Sequence, residues 1–267
     1  ATVTITASLT TGTGTLGGTL TKAAVAGVAS FSANGLNINL AGTDKVLTMA
    51  TTLSGPGAVT TTTSPAFTIT HAAASQIAVT TQPSASTVAG VAFATQPVVT
   101  IRDAFGNTVT TGGDATVTIT ASLTTGSGTL SGTTTKAAVA GVASFSANGL
   151  NINLAGTDKV LTMATTLSGP GAVTTTTSPA FTITHAAASQ LVVTTQPSAS
   201  SAATVAFAQQ PVVTVQDAFG NTVTTGGDAT VTITASLTTG TGTLSGTTTK
   251  AAVAGVANFS ANGLSID

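Results

Sequence analysis

One stretch of sequence restarts three times along this chain. The segment Ala-Thr-Val-Thr-Ile-Thr-Ala-Ser-Leu-Thr-Thr-Gly opens at Ala1, at Ala115 and at Ala229, a step of 114 residues each time. Residues 1–74 match residues 115–188 except at Thr13/Ser127, Gly17/Ser131 and Leu20/Thr134, and residues 75–114 recur at 189–228 with more drift. Such a period is too long for one rung of a solenoid, whose repeats run to a few tens of residues. It suits a whole small domain that buries a core of its own. The expected division is a partial repeat over 1–74 that lacks its opening strands, a complete repeat over 75–188, and a partial repeat over 189–267 that lacks its closing strands. The chain enters and leaves within a repeat, and so reads as a window on a longer array.

Composition narrows what such repeats can do. Charged residues make up 5% of the chain and the net charge is −1, where an average globular protein is about 25% charged. That leaves no basic patch for nucleic acid or an anionic membrane surface, and no apolar run reaches the roughly 20 residues of a spanning helix. Hydrophobic residues still reach 42%, and they alternate, which argues for folded strands over a disordered linker. Threonine supplies 63 of the 267 residues. Its β-branched side chain favours the pleated surface and shows a hydroxyl to water, so hydroxyls stand in for charge on the exposed faces. Little repulsion then opposes contact between neighbouring chains. Cysteine is absent, so no disulfide is available and the compartment cannot be read from it.

The complete repeat reads as a series of short strands. Gln76–Thr81 is a first strand, closed by Gln82-Pro83-Ser84. Val91–Ala94 and Val98–Arg102 follow, separated by Gln96-Pro97, where proline is tolerated at a strand start or edge. Asp103-Ala104-Phe105-Gly106-Asn107 forms a turn. Val117, Ile119 and Ala121 alternate with Thr116, Thr118 and Thr120, the signature of a half-buried strand. Val142–Ser146 and Leu150–Leu154 flank Ala147-Asn148-Gly149, which predicts a hairpin around Asn-Gly. Lys159–Thr166 and Val173–Thr184 complete the set. No helical period is sustained, so the chain is predicted to be all-β, a tandem of two-sheet sandwiches. The link Thr184–Ser189, repeated at Thr70–Ser75, is neither Gly/Ser-rich nor Pro-rich. It predicts repeats set end to end in a semi-rigid rod.

The run Val99–Val109, with Asp103-Ala104-Phe105-Gly106-Asn107 at its centre, followed by Gly141-Val142-Ala143-Ser144-Phe145, resembles the bacterial immunoglobulin-like repeats of intimin- and invasin-type surface proteins. The same pattern stands at Val213–Val223 and Gly255–Phe259. Thr80–Pro83 and Thr194–Pro197 also resemble the Thr-Thr-Gln-Pro opening of the immunoglobulin-like tandem repeats in very large secreted bacterial proteins. The resemblance implies immunoglobulin-like domains in an extracellular or cell-surface stalk, with no catalytic residues to carry over.

Read for chemistry, the chain offers little. His71 and its copy His185 lie in the links, with no sequence motif to make either part of a triad. Asp103, Asn107 and Asp114 are the best candidates for holding Ca²⁺, which takes six to eight oxygens. The plainer reading has Asp103 and Asn107 capping their turn and Asp114 ending the Gly112-Gly113 loop. Asp158-Lys159 and Asp44-Lys45 read as solvated turn pairs, worth little in stability. Position 102, arginine here and Gln216 in the next copy, is expected to face solvent. Phe93, Phe105, Phe145 and Phe181 are assigned to the core. With no Trp or Tyr there is no stacking platform for sugars or single strands.

These readings converge on a structural segment without catalytic activity or a required cofactor. It would serve as a stalk, fibre or sheath, associating with further repeats or with copies of itself, without nucleic acid and without membrane insertion. The alternative is an adhesin-type module, stiffened by Ca²⁺, that engages a ligand through its end loops.

Overall fold

The computed structural model describes residues 2–55, 58 and 60–267. They are all-β, with two single-turn 3₁₀ helices at Gly113–Thr116 and Gly227–Thr230. No helix among the described residues is long and apolar enough to cross a membrane.

The middle repeat forms two layers. Val98–Asp103 lies between Ala74–Thr81 and Val142–Ser144 in an antiparallel three-stranded sheet. The second sheet runs Thr135–Ala137, Thr118–Thr125, Gly156–Ala164, Phe181–Thr184 and Ser86–Val88, with Thr175–Thr177 also paired to Gly156–Ala164. Ser86–Val88 pairs in parallel with Thr182–Thr184. The opening segment therefore serves both sheets, first through Ala74–Thr81 and then, beyond Pro83, through Ser86–Val88.

One apolar cluster fills the space between the layers. Ile77, Val99 and Ile101 enter it from the first sheet, and Ile119, Leu161, Met163 and Ile183 from the second. Each such side chain contributes about 1.5–3 kcal/mol on full burial. Phe93 and Phe181 meet edge to face there, their centroids 5.4 Å apart. The buried Gln96 holds the irregular backbone beside Pro97. Its Nε2 donates to the carbonyls of Phe93 and Leu150, and its Oε1 accepts the Leu150 N–H.

Several expectations are corrected. Val91–Ala94 is not a strand; the short strand of that region is Ser86–Val88, made by its parallel partner. Asn148-Gly149 does not close a hairpin, because Val142–Ser144 pairs with Val98–Thr100 while Asn151–Ile152 pairs with Leu130–Ser131. It is a corner between layers, where Asn148 Nδ2 donates to the carbonyls of Thr133 and Thr135. The tight turn sits instead at Ala140-Gly141, with φ of 47° and 78°, bridged by Val139 and Val142. Positive φ at both central positions is what a type I′ turn requires.

Lys159 is not a solvated turn residue. It is 1% exposed, and its Nζ donates to the Ser127 carbonyl at 2.7 Å, pinning the loop after Thr118–Thr125. Lys45 is buried in the same way against Thr13. Arg102 is half-buried, and its Nε is enclosed without a hydrogen-bond partner. Phe105 lies outside the core, 58% exposed.

The flanking repeats carry parts of the same plan. Residues 2–69 hold the second sheet, with Thr4–Thr11 paired to Thr21–Ala23 and Gly42–Ala50, while Val28–Ser30 is not paired as a strand. Residues 188–267 hold the first sheet, Ala188–Thr195, Val212–Asp217 and Val256–Asn258, and only a fragment of the second.

Candidate functional site at the junction between repeats

The Asp-Ala-Phe-Gly-Asn turn is where the most polar contacts gather. Val98–Asp103 delivers Asp103 to the end of the first sheet, and the chain reverses through Ala104–Gly106, with φ of 88° at Gly106. Asp103 is fully buried. Its Oδ1 accepts the backbone N–H groups of Phe105 and Asn107, both at 2.9 Å. Its Oδ2 accepts from Asn107 Nδ2 at 2.8 Å and from the Ala72 N–H at 2.9 Å. Burial raises the pKa of this carboxyl, but the side-chain bond from Asn107 and the backbone bonds from Ala72, Asn107 and Phe105 outweigh it. The net result lies below the ordinary aspartate value.

The turn reaches backwards into the preceding repeat. Asn107 Nδ2 also donates to the Asn39 carbonyl at 2.9 Å, and its Oδ1 accepts the Ala41 N–H at 2.8 Å. Asn39 in turn accepts the Thr15 N–H on its own side chain. A single asparagine thus grips one strand end of the earlier repeat by both amide atoms, while Asp103 grips the link at Ala72.

His71 completes the junction. Its Nδ1 stands 2.8 Å from the Ala72 carbonyl, which only accepts, so the ring carries its proton at Nδ1. Nε2 then accepts from the Thr111 N–H at 3.3 Å and from the Thr111 hydroxyl at 3.0 Å. The link is short, the four residues Thr70–Ala73 between Phe67–Ile69 and Ala74–Thr81.

The second junction reproduces the first. Asn221 donates to the Asn153 carbonyl and accepts the Ala155 N–H, Asp217 accepts the Ala186 N–H, and His185 meets Thr225. Asp217 is held below the ordinary aspartate value by the same balance, burial opposing and Asn221, Ala186 and Phe219 prevailing. One contact is added. A Cβ at Gly90 would fall 2.2 Å from the Phe219 ring, so that ring lies directly on the bare backbone of Gly90. Phe105 is the more exposed of the two phenylalanines, 58% against 43%.

Of the three candidate Ca²⁺ ligands, Asp103 and Asn107 come together, and their oxygens are occupied by protein N–H groups. Asp114 does not join them; it binds the Ser168 N–H and hydroxyl at 3.0 and 2.6 Å. Among the described residues no three His, Cys, Asp or Glu side chains gather as a metal site. The partners Asn39, Ala41, Thr111 and Gly90 were not legible from sequence, since each contact spans dozens of residues. The recurrence of Asn39-Leu40-Ala41 at Asn153-Leu154-Ala155 was the available signal. Compared with known proteins, the chain matches no family model, no curated protein and no solved structure.

Proposed function

We propose that this chain is a mechanical spacer, a run of immunoglobulin-like repeats in an extracellular or cell-surface stalk or fibre, without catalytic activity. The observation that carries the reading is the duplicated junction. Two successive boundaries are closed by the same residues at the same distances, and the polar groups of Asp103, Asn107, Asp217 and Asn221 are consumed in closing them. Two mostly antiparallel sheets sharing one core, with the opening segment divided between them, support the immunoglobulin-like assignment. Short, bonded links favour a stiff chain of units over a string of independent ones.

Single-molecule stretching of the chain tests this. The middle repeat should unfold in one all-or-none event, with a contour-length step of roughly 35–40 nm for its 114 residues. Gradual extension without a discrete event would overturn the spacer reading.

A further inference from the structure

Lys159 and Lys45 are each 1% exposed, although a cationic side chain loses much on leaving water. An apolar chain of similar length would fill the same slot without that penalty. The slot is shaped by bare backbone on two sides. A Cβ at Gly126 would fall 2.7 Å from Lys159 Cδ, and one at Gly156 would fall 2.8 Å from its Nζ. A Cβ at Gly12 or Gly42 would crowd Lys45 in the same way.

The work of the amine can be followed from contact to contact. Lys159 Nζ donates to the Ser127 carbonyl and so fixes the loop 126–129. In that loop the Thr129 N–H donates to Asn153 Oδ1 at 2.7 Å. A Cβ at Gly128 would stand 3.1 Å from Ile152, Asn153 and Leu154 alike, so the loop lies directly against that strip. Asn153 is the residue whose carbonyl accepts from Asn221 of the next repeat. Ala155, whose N–H donates to Asn221 Oδ1, directly precedes Gly156. The amine thus supports the gripped strip at both ends, through the Ser127 loop at Asn153 and against Gly156 beside Ala155. The first junction repeats the arrangement. Lys45 donates to the Thr13 carbonyl, the Thr15 N–H donates to Asn39, and Asn107 holds Asn39 and Ala41.

We propose that Lys45 and Lys159 are positioning residues of the junctions. Each buried amine holds the strip that the next repeat's asparagine grips, and so sets how firmly two repeats are joined. The proposal deepens the spacer reading and rests on it for its purpose. It places the determinant of the joint inside the earlier repeat, on a residue that the later repeat never touches. Lys159 stands outside the apolar cluster of the middle repeat, so its loss should act on the boundary before it acts on the core. Coupling of this kind is reciprocal, and releasing the asparagine should in turn loosen the lysine.

The lysines are few, Lys22, Lys45, Lys136, Lys159 and Lys250, so acetylation by acetic anhydride can be followed at each by peptide mass analysis. The half-buried Lys136 should react about tenfold faster than Lys159 or more, since Lys159 reacts only when its slot opens. Asn221→Ala should raise the rate at Lys159 about threefold or more. Lys45, whose junction is untouched by that change, should keep its rate. In a second arm, Lys159→Met should broaden the distance distribution between spin labels on the middle and last repeats, with the melting of the middle repeat little changed. Four results each overturn the proposal: Lys159 reacting as fast as Lys136, a rate at Lys159 indifferent to Asn221→Ala, a Lys159→Met chain that keeps the narrow distribution, or one whose middle repeat melts far earlier, which would make the lysine a support of the repeat itself. Single-molecule stretching judges the spacer reading by itself, so the two can fail separately.

Discussion

Asp103 lies buried at the centre of its turn. It accepts four hydrogen bonds in a site without solvent, and two of the donors, Phe105 and Asn107, are backbone groups of its own turn. Because its carboxyl titrates below the ordinary value in the folded protein, its stabilisation is fully present above the unfolded value of about 4. It is lost as the pH falls through the folded value. Asp217 acts in the same sense. Thermal melts should therefore change little from neutrality down to about pH 5 and fall steeply below about pH 4. In the double variant Asp103→Asn, Asp217→Asn that acid limb should flatten, at a cost of about 2 kcal/mol per site near neutrality from an amide set against N–H donors. An acid limb as steep as in the unsubstituted chain would remove these two aspartates as its cause.

At the scale of elements, sequence alone located the alternating strands and the Asp103–Asn107 turn. It failed where a partner determines the outcome. Thr-Ile-Thr-Ala-Ser-Leu-Thr-Thr forms an eight-residue strand at Thr118–Thr125, beside Gly156–Ala164. The same eight residues are a strand only over Thr232–Thr234 in the last repeat, paired there with Thr249–Ala251 alone. Asn148-Gly149 misled for a related reason, since hairpin propensity was overridden by the pull of two different sheets on the flanking strands. The turn that does close tightly, Ala140-Gly141, has a further constraint invisible in sequence. A Cβ at Gly141 would meet the Val109 carbonyl oxygen at 2.2 Å, in a conformation with φ of 78°. Gly141→Ala should cost at least about 2 kcal/mol, combining left-handed strain with that clash. Gly149→Ala, with open space around it, should cost only the strain, about 1 kcal/mol. Denaturant melts of the two variants compare them directly, and equal losses would discount the clash.

Over the whole molecule, a few side-chain bonds close each boundary between repeats. Asn221→Ala removes the bonds to Asn153 and Ala155 and the one to Asp217 Oδ2, while the core of the middle repeat keeps every member. Spin labels placed on the middle and last repeats should give a narrow distance distribution in the unsubstituted chain and a broad one in Asn221→Ala. The melting of the middle repeat should move little, and an unchanged distance distribution would show that the junction is held by something else. The ring of Phe219 on Gly90 adds a second hold at this boundary. The copy of that glycine in the last repeat is Thr204, which keeps a φ of 66°. A threonine at that position has no room for an incoming ring, so a repeat that carries it turns its successor's phenylalanine away. If the repeats form the proposed stalk, ordinary drift at this one position would place softer hinges at chosen points along it.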